Sequence, residues 1–99
     1  MRSYRLVFKA GARKEWDKLA PSTRDQFKRK LAERLASPHV PAAKLSGMPD
    51  CYKIKLKALG YRLVYRVEDE RLVVLVLSVG RRDRGRVYKL ATRRLEEPQ

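Results

Sequence analysis

The sequence predicts a small α+β domain with the element order βααβββα. In this fold a mostly antiparallel four-stranded sheet carries a helical hairpin on one face, and a short helix ends the chain. Three observations predict this class. The chain has 99 residues, which suits one domain. Apolar residues recur at helical spacing in residues 12–35 and 87–91. They alternate with charged residues in residues 52–57, and in residues 72–77 every position is apolar.

The N-terminal segment predicts a strand followed by a short helix. Tyr4 opens an alternating segment, residues 4–9, which is typical of a strand, and Gly11 ends it. Trp16 then anchors an amphipathic helix that carries Ala12 and Leu19 on the same side. We expect Trp16 to be a core residue.

A second helix is predicted from the interruption at residues 20–23 to about residue 36. Ser22 and Asp25 resemble a capping box at its start, with Asp in place of the usual Glu. Pro38 prevents its continuation. Because about three residues join the two helices, we expect an antiparallel hairpin that packs on the sheet. The apolar stripe of the second helix consists of Phe27, Leu31 and Leu35.

Residues 37–50 predict an irregular connection, long for a small domain, of the kind that binds a ligand or wraps a sheet edge. The only histidine, His39, lies here between Pro38 and Val40. A nuclease would need its histidine held in a site. We expect His39 to be a bystander.

The following segment predicts a three-stranded meander, with strands at residues 52–57, 61–68 and 71–79. In the first strand, Lys53, Lys55 and Lys57 share one face. A two-residue turn at Leu59-Gly60 places Lys57 opposite Arg62, on that cationic face, whereas a three-residue turn moves Arg62 to the other face. We predict the first arrangement.

The last strand of the meander is predicted to be central, because residues 72–77 are apolar on both faces. Asp69-Glu70 is expected to form the turn before it, and the N-terminal strand is expected to lie beside it. Gly80 is expected to end the sheet. A basic turn, residues 81–86, leads to a short helix that includes Tyr88 and fades by Glu96, and residues 96–99 are expected to be a frayed tail.

Charge is the strongest compositional signal. The chain has 25 Lys and Arg against 11 Asp and Glu, a formal net charge of +14. Solubility requires much less charge, so a polyanionic partner is favoured. The single cysteine, Cys51, excludes an internal disulfide and fits the cytosol. No segment is long and apolar enough to predict a signal peptide or a membrane span, so no membrane partner is expected.

The side chains available for chemistry are mainly cations and tyrosines. With one His and one Cys, no metal cluster or other cofactor site is expected, and no phosphate-binding glycine loop is present. RNA carries its own nucleophile, the 2′-OH, which an enzyme can orient without a metal while stabilising the added negative charge. A metal-free ribonuclease site is therefore one interpretation, and a basic face that binds nucleic acid without cutting it is the other. The ribonuclease site would consist of Lys53, Lys55, Arg62, Arg82 and Tyr88.

Several stretches together resemble a known family. They are residues 14–19 (Lys-Glu-Trp-Asp-Lys-Leu), 44–56 (Lys-Leu-Ser-Gly-Met-Pro-Asp-Cys-Tyr-Lys-Ile-Lys-Leu), 60–65 (Gly-Tyr-Arg-Leu-Val-Tyr), 78–84 (Ser-Val-Gly-Arg-Arg-Asp-Arg) and 87–88 (Val-Tyr). In this order and at these intervals they resemble the RelE toxins of bacterial and archaeal type II toxin–antitoxin pairs, within the wider RelE/ParE superfamily.

The resemblance implies a single-domain cytoplasmic ribonuclease that enters the A site of the small ribosomal subunit and cuts the mRNA codon there, leaving a cyclic phosphate. Lys53 and Lys55 correspond to the basic residues near the attacking hydroxyl, and Arg62 to the phosphate-stabilising cation. Arg82 corresponds to the candidate acid for the leaving oxygen, and Tyr88 to the base-stacking residue. Since all five positions are filled, an active toxin is expected.

The resemblance also implies partners. A RelB-like antitoxin inactivates the toxin, and the pair represses its own operon, so operator DNA is contacted only through the complex. Further cations are predicted to contact RNA or the ribosome, the alternative for those on the second helix being a solvated face. They are Lys57, Arg81, Arg84, Arg24, Lys28, Arg29 and Lys30.

A second class of function stays open on the sequence. A relative with the same fold can be non-catalytic, either a ParE-like toxin directed against gyrase or a basic nucleic-acid-binding module. The filled cationic set favours the ribonuclease, because a gyrase-directed toxin does not need it.

Overall fold

A computed structural model describes residues 3–83 and 85–98 of the chain. It has the α+β architecture and the element order that the sequence predicts. The helices and strands are β1 (Arg5–Phe8), α1 (Ala10–Asp17), α2 (Pro21–Ala36), β2 (Cys51–Leu56), β3 (Tyr61–Glu68), β4 (Val73–Arg81) and α3 (Arg86–Leu95). A short 3₁₀ turn, Pro41–Ala43, interrupts the connection before β2.

The four strands form one sheet in the order β1-β4-β3-β2. The strands of the meander pair antiparallel, whereas β1 pairs parallel with β4, so the sheet is mixed. The parallel pairing arises because the two helices carry the chain away from β1 before it returns. As predicted, β4 is central, and residues 73–79 are all buried.

Two apolar cores cover the sheet. On one face, here called the hairpin face, Trp16 and Phe27 of the two N-terminal helices pack against Ile54 and Val76. On the other, the α3 face, Val87 and Ala91 of α3 pack against Val64, Leu75 and Leu77. This explains why the central strand has no polar alternation: each of its faces lies under a helix. Within the described chain, no helix is long and apolar enough to cross a membrane.

The predicted capping box is wrong. Helix α2 begins at Pro21, and the N-cap is Ala20, whose side chain makes no capping hydrogen bond. Ser22 therefore lies inside the first turn and is not the cap. The physical reason is that proline at the first helical position is already fixed at a helical φ and has no N–H to satisfy.

The turn between β3 and β4 is longer than predicted. It spans four residues, 69–72, and Leu72 adopts a left-handed conformation with φ 53°. Strand β4 therefore begins at Val73 and continues through Gly80 to Arg81, so Gly80 does not end the sheet. Gly80 pairs with Arg62, which brings the end of β4 beside the predicted site.

Candidate active site

The β2–β3 hairpin positions the first two residues of the predicted site, Lys55 and Arg62. Lys55 lies directly opposite Arg62, and both belong to the α3 face. The turn contains four residues, 57–60, and not the predicted two, so the cross-strand neighbour of Arg62 is Lys55 and not Lys57. The predicted common face is confirmed, because lengthening a hairpin turn by two residues preserves the alternation of faces.

Gly60 positions the third site residue, Arg82, next to Lys55 and Arg62. It closes the hairpin turn with φ +70°, a conformation that glycine adopts without steric cost. Its carbonyl oxygen accepts a hydrogen bond of 2.8 Å from the backbone N–H of Arg82. Arg82 follows the last residue of β4, so this bond holds the start of the basic turn next to the hairpin.

Helix α3 supplies the fourth residue, Tyr88. The chain enters the helix through Gly85, which is the N-cap and has φ 70°. The first turn is tied to the sheet by Ser78, whose buried hydroxyl donates a 2.7 Å hydrogen bond to the carbonyl of Val87. The half-buried Tyr88 packs against the core of the α3 face.

These elements enclose an open pocket of about 360 Å³ on the α3 face. Four of the five residues predicted for a ribonuclease site line it. They are Lys55, Arg62, Arg82 and Tyr88, with Gly85 and Val87 completing the wall. The fifth, Lys53, stands on the same strand face two residues before Lys55, opposite Val64, and lines a neighbouring groove.

Arg62 is the most constrained cation of the pocket. Its side chain is buried, with the residue 6% exposed, and its Nη1 donates to the carbonyl of Tyr61 at 3.0 Å. None of the ion pairs among residues 3–83 and 85–98 includes it. A buried guanidinium without a carboxylate is costly unless an anion neutralises it. The pocket is therefore arranged to receive a negatively charged group.

The charges around Lys55 disfavour its protonated form. The ammonium of Lys53 beside it lowers the pKa of Lys55 below its ordinary value, and desolvation and the charges of Arg62 and Lys57 lower it further. A lowered pKa increases the neutral fraction of a lysine near physiological pH. Of the two lysines named for this role, Lys55 is the one that faces the pocket.

The two other candidate chemical groups lie outside the pocket. Cys51 is fully buried, and burial raises the pKa of its thiol to about 11, so it is not a nucleophile at neutral pH. His39 hydrogen-bonds through Nδ1 to the hydroxyl of Tyr52 at 3.0 Å and through Nε2 to Asp69 at 2.8 Å. Tyr52 belongs to the core of the hairpin face, so His39 lies across the sheet from the pocket.

The cations predicted to contact RNA or the ribosome lie on separate parts of the structure. Lys57 and Arg81 are exposed near the turn between β2 and β3, where the Arg81 guanidinium lies 5.3 Å from the ring centre of Tyr61. Arg24 is half-buried and donates to the carbonyl of Asp17 at 3.3 Å. Arg84 lies outside the described residues. The other three, Lys28, Arg29 and Lys30, are exposed on α2.

Sequence reasoning missed the residues that hold the site together. Glu15 of α1 forms an ion pair with Arg94 of α3 at 2.8 Å and accepts the backbone N–H of Val79 at 3.1 Å. Ser78 could have been found as the one polar residue in the otherwise apolar run 72–79. The Glu15–Arg94 pair leaves no local signal, because its partners are 79 residues apart.

Comparison with known proteins identifies relatives of this chain. A family model, the ParE toxin of the type II toxin–antitoxin system, parDE, matches residues 6–86. The mRNA interferase toxin RelE of Escherichia coli is 56% identical over 93 residues, which cover 94% of this chain and 98% of that protein. The structure of a double mutant of E. coli RelE in the free state superposes with a TM-score of 0.88, at 54% identity, over 94% of this chain and 98% of the other. A chain of the intact E. coli RelBE toxin–antitoxin complex superposes with a TM-score of 0.80, at 57% identity, over 82% of this chain and 99% of the other.

Proposed function

The chain belongs to the RelE/ParE family of type II toxins and is a homologue of the RelE mRNA interferases, and from this premise we propose that it is a ribosome-dependent, metal-independent endoribonuclease. It cleaves mRNA in the ribosomal A site and thereby stops translation. The observation that carries this proposal is the pocket in which Arg62, a buried cation without a carboxylate partner among the described residues, lies opposite Lys55 and beside Arg82 and Tyr88.

The reaction assigned to this pocket uses the 2′-OH of the substrate as the nucleophile. Neutral Lys55, assisted by Lys53, accepts the hydroxyl proton while the 2′-oxygen forms a bond to phosphorus. Arg62 stabilises the negative charge that develops on the phosphoryl oxygens. The bond from phosphorus to the 5′-oxygen then breaks, and the products are a 2′,3′-cyclic phosphate and a 5′-hydroxyl.

The leaving oxygen lies next to Arg82 in this assignment. An arginine stays protonated at any physiological pH, so it is a poor proton donor. Arg82 therefore stabilises the charge on the 5′-oxygen through hydrogen bonds, and water supplies the proton. The hydroxide that remains takes the proton from Lys55, which returns to its neutral form. Tyr88 stacks on a base that has been pulled out of its helical arrangement, which is a common mode of single-stranded RNA recognition.

The chemistry of the side chains supports a reaction without a metal. The functional groups of the pocket are three cations and a phenol, whereas hard metal ions bind carboxylates and carbonyl oxygens. Across the described residues, no group of three His, Cys, Asp or Glu is placed to share a metal ion.

The experiment that tests the proposal is primer extension on an mRNA held in programmed ribosomes, with and without the purified protein. We expect a new cut inside the A-site codon. The same mRNA without ribosomes is the control and is expected to be cut poorly. If a folded, growth-arresting protein gives no cut, the ribonuclease assignment fails.

Replacing Lys53 with alanine is expected to move the alkaline rise of the cleavage rate to higher pH. Lys53 is the main cause of the lowered pKa of Lys55. Without it, the pKa of Lys55 moves back up, so a smaller fraction of Lys55 is neutral at a given pH. The measurement is the single-turnover rate on programmed ribosomes between about pH 6.5 and 8.5.

The control for this pH profile is Lys14→Ala, which removes the same charge from an exposed position on α1 and should keep the wild-type profile. An unchanged profile in the Lys53 variant would remove Lys55 as the base.

The lowered pKa of Lys55 also makes the stability of the fold depend on pH. The folded state disfavours the charged form of Lys55, so the free energy of unfolding increases as the pH rises through the pKa of Lys55 in the folded state.

The comparisons also support a protein partner. Related chains occur in solved complexes with RelB antitoxins, and we propose that a cognate RelB-like antitoxin inactivates this protein. The ribosome, its rRNA and the mRNA are the other proposed partners, and we propose that the protein acts in the cytoplasm. Operator DNA is contacted only through the toxin–antitoxin complex.

A second candidate, a toxin directed against gyrase, is favoured by one observation: the family model that matches the chain is that of the ParE toxins. Growth arrest on expression discriminates the two. Arg82→Ala is expected to relieve the arrest if cleavage causes it. Unchanged arrest by a folded Arg82→Ala protein would favour the non-catalytic alternative.

A further inference from the structure

A second groove runs between α2 and the edge strand β2. Its volume is about 330 Å³, similar to that of the pocket on the α3 face. Small and branched apolar residues, among them Ala42 and Ile54, form part of its lining, and no acidic residue lines it. Five cations line it: Lys30, Arg34, Lys53, Lys55 and Lys57. Such a concentration of positive charge on one groove predicts an anionic ligand.

Arg34 shows that this groove is more than a row of mobile lysines. Its Nη1 donates to the carbonyl of Lys53 at 3.1 Å and to the hydroxyl of Tyr65 at 2.8 Å. The guanidinium also lies 5.7 Å from the ring centre of Tyr65. In the described chain no carboxylate pairs with Arg34. Neutral groups therefore hold the Arg34 guanidinium in place, and its positive charge is available to bind an anionic ligand.

The groove is continuous with the candidate active site. Lys55 lines both of them. Because β2 is an edge strand of the described sheet, none of the other three strands separates the groove on the hairpin face from the pocket on the α3 face. A single-stranded chain can therefore leave the pocket, pass over the edge of β2 at Lys55 and enter the groove.

We propose that this groove binds phosphates of the same mRNA strand that is cut in the pocket, on one side of the scissile bond. The inference rests on the function proposed above. RNA is favoured over an acidic protein segment because the groove continues from the pocket that receives the reacting phosphate. Cations along the walls contact successive phosphates, as in other tracks for single-stranded nucleic acid.

The test compares two RNAs that the protein cannot cut, because their 2′-hydroxyls are methylated. A trinucleotide is chosen to occupy the pocket, and a nonanucleotide is long enough to extend into the groove. Binding is measured by fluorescence anisotropy over a range of salt concentrations. The variant is Lys30→Glu, since this side chain is exposed and lines only the groove. The charge-matched control is Lys14→Glu, an exposed position on α1, the helix that packs over β1 and β4.

We expect the groove variant to bind the nonanucleotide about tenfold more weakly, because one phosphate contact is replaced by a repulsion, with a salt slope smaller by about 0.7, the contribution of one single-stranded phosphate contact. Its affinity for the trinucleotide, and the affinity of the control for both RNAs, should stay within about twofold of wild type. An equal loss for both RNAs, or an equal loss in the control, would mean that only net charge matters and would overturn the proposal.

Failure of the groove and failure of the proposed function give different results. If the groove variant binds the nonanucleotide like wild type while the wild-type protein still cuts mRNA on ribosomes, the groove proposal alone is overturned. If the wild-type protein neither binds the RNAs nor cuts mRNA, both proposals are overturned. Unchanged RNA binding together with weakened antitoxin binding would assign the groove to an acidic protein segment.

Discussion

Replacing Arg62 with alanine is expected to lower the single-turnover rate of A-site mRNA cleavage by about 10²–10³-fold, the loss typical of removing one preorganised donor from a developing oxyanion. The reason is its position: the guanidinium is buried, lies opposite Lys55 and has no carboxylate partner in the described chain. Its charge is thus available to the reacting phosphate, and burial leaves it less screened by water than an exposed cation.

The stability of the Arg62 variant separates this role from a structural one. Because no described carboxylate pairs with Arg62, its removal leaves no described carboxylate without its ion-pair partner. We expect the midpoint of urea unfolding to stay the same or to rise, since a desolvated charge has been removed. A variant that loses stability together with activity would indicate a structural role. A folded variant that still cleaves within a few-fold of wild type would exclude Arg62 from the site.

Arg62→Lys is the conservative companion to this experiment. Lysine keeps the charge but presents a compact ammonium in place of the planar fork that grips two phosphate oxygens at once. We expect its cleavage rate to fall between those of wild type and the alanine variant. A lysine variant as slow as alanine would show that the two-point contact contributes more than the charge.

Replacing Glu15 with alanine is expected to lower the free energy of unfolding by about 2–3 kcal/mol, somewhat less than the loss for a fully buried ion pair because the pair is partly exposed. Glu15 accepts hydrogen bonds from Nη1 and Nη2 of Arg94, at 2.8 and 3.2 Å, and its Oε1 also accepts the N–H of Val79. The side chains of Glu15 and Arg94 are 25% and 13% exposed. The variant leaves a partly buried guanidinium without its carboxylate.

The matched control lies on the same helix. Asp17 pairs with Arg13 at 3.1 Å, but those side chains are 58% and 63% exposed. Asp17→Ala should cost at most about 0.5 kcal/mol, as exposed pairs generally do. Urea denaturation at neutral pH measures both variants. Equal losses in the two variants would show that the burial of the Glu15–Arg94 pair has no energetic consequence.

This ion pair also bears on the site, because Arg94 anchors α3. Its Nη1 donates to the carbonyl of Leu77 at 2.9 Å, which ties the end of the helix to the central strand. Gly11 of α1 makes room for it: a Cβ at that position would lie 2.7 Å from the guanidinium carbon of Arg94. The same helix carries Tyr88, so its placement over the pocket depends on contacts with α1 and β4.

Local patterns in the sequence were sufficient for most of the fold. Alternation in residues 52–57 determined a strand with one cationic face, and the unbroken apolar run 72–77 determined a central strand covered on both sides. Helical spacing located α1, α2 and α3 to within a few residues. These features depend on which residues neighbour one another along the chain, and periodicity reports that directly.

The turns were harder, since their length depends on backbone geometry more than on composition. Leu59-Gly60 is a reasonable two-residue turn on composition, yet the hairpin closes over residues 57–60. The error moved the partner of Arg62 by two residues and left its face unchanged. At the start of α2, Pro21 began the helix one residue before the predicted cap.

The sequence by itself therefore determined the elements, the positive charge and the set of residues from which a site could be built. Only the tertiary structure decided that Lys55 and not Lys53 faces the pocket, that Gly60 holds Arg82 beside the hairpin, and that Glu15 and Arg94 fix α3. Each of these depends on contacts between residues far apart in the chain. Local periodicity carries no information about such contacts, because they are selected by the packing of whole elements against one another.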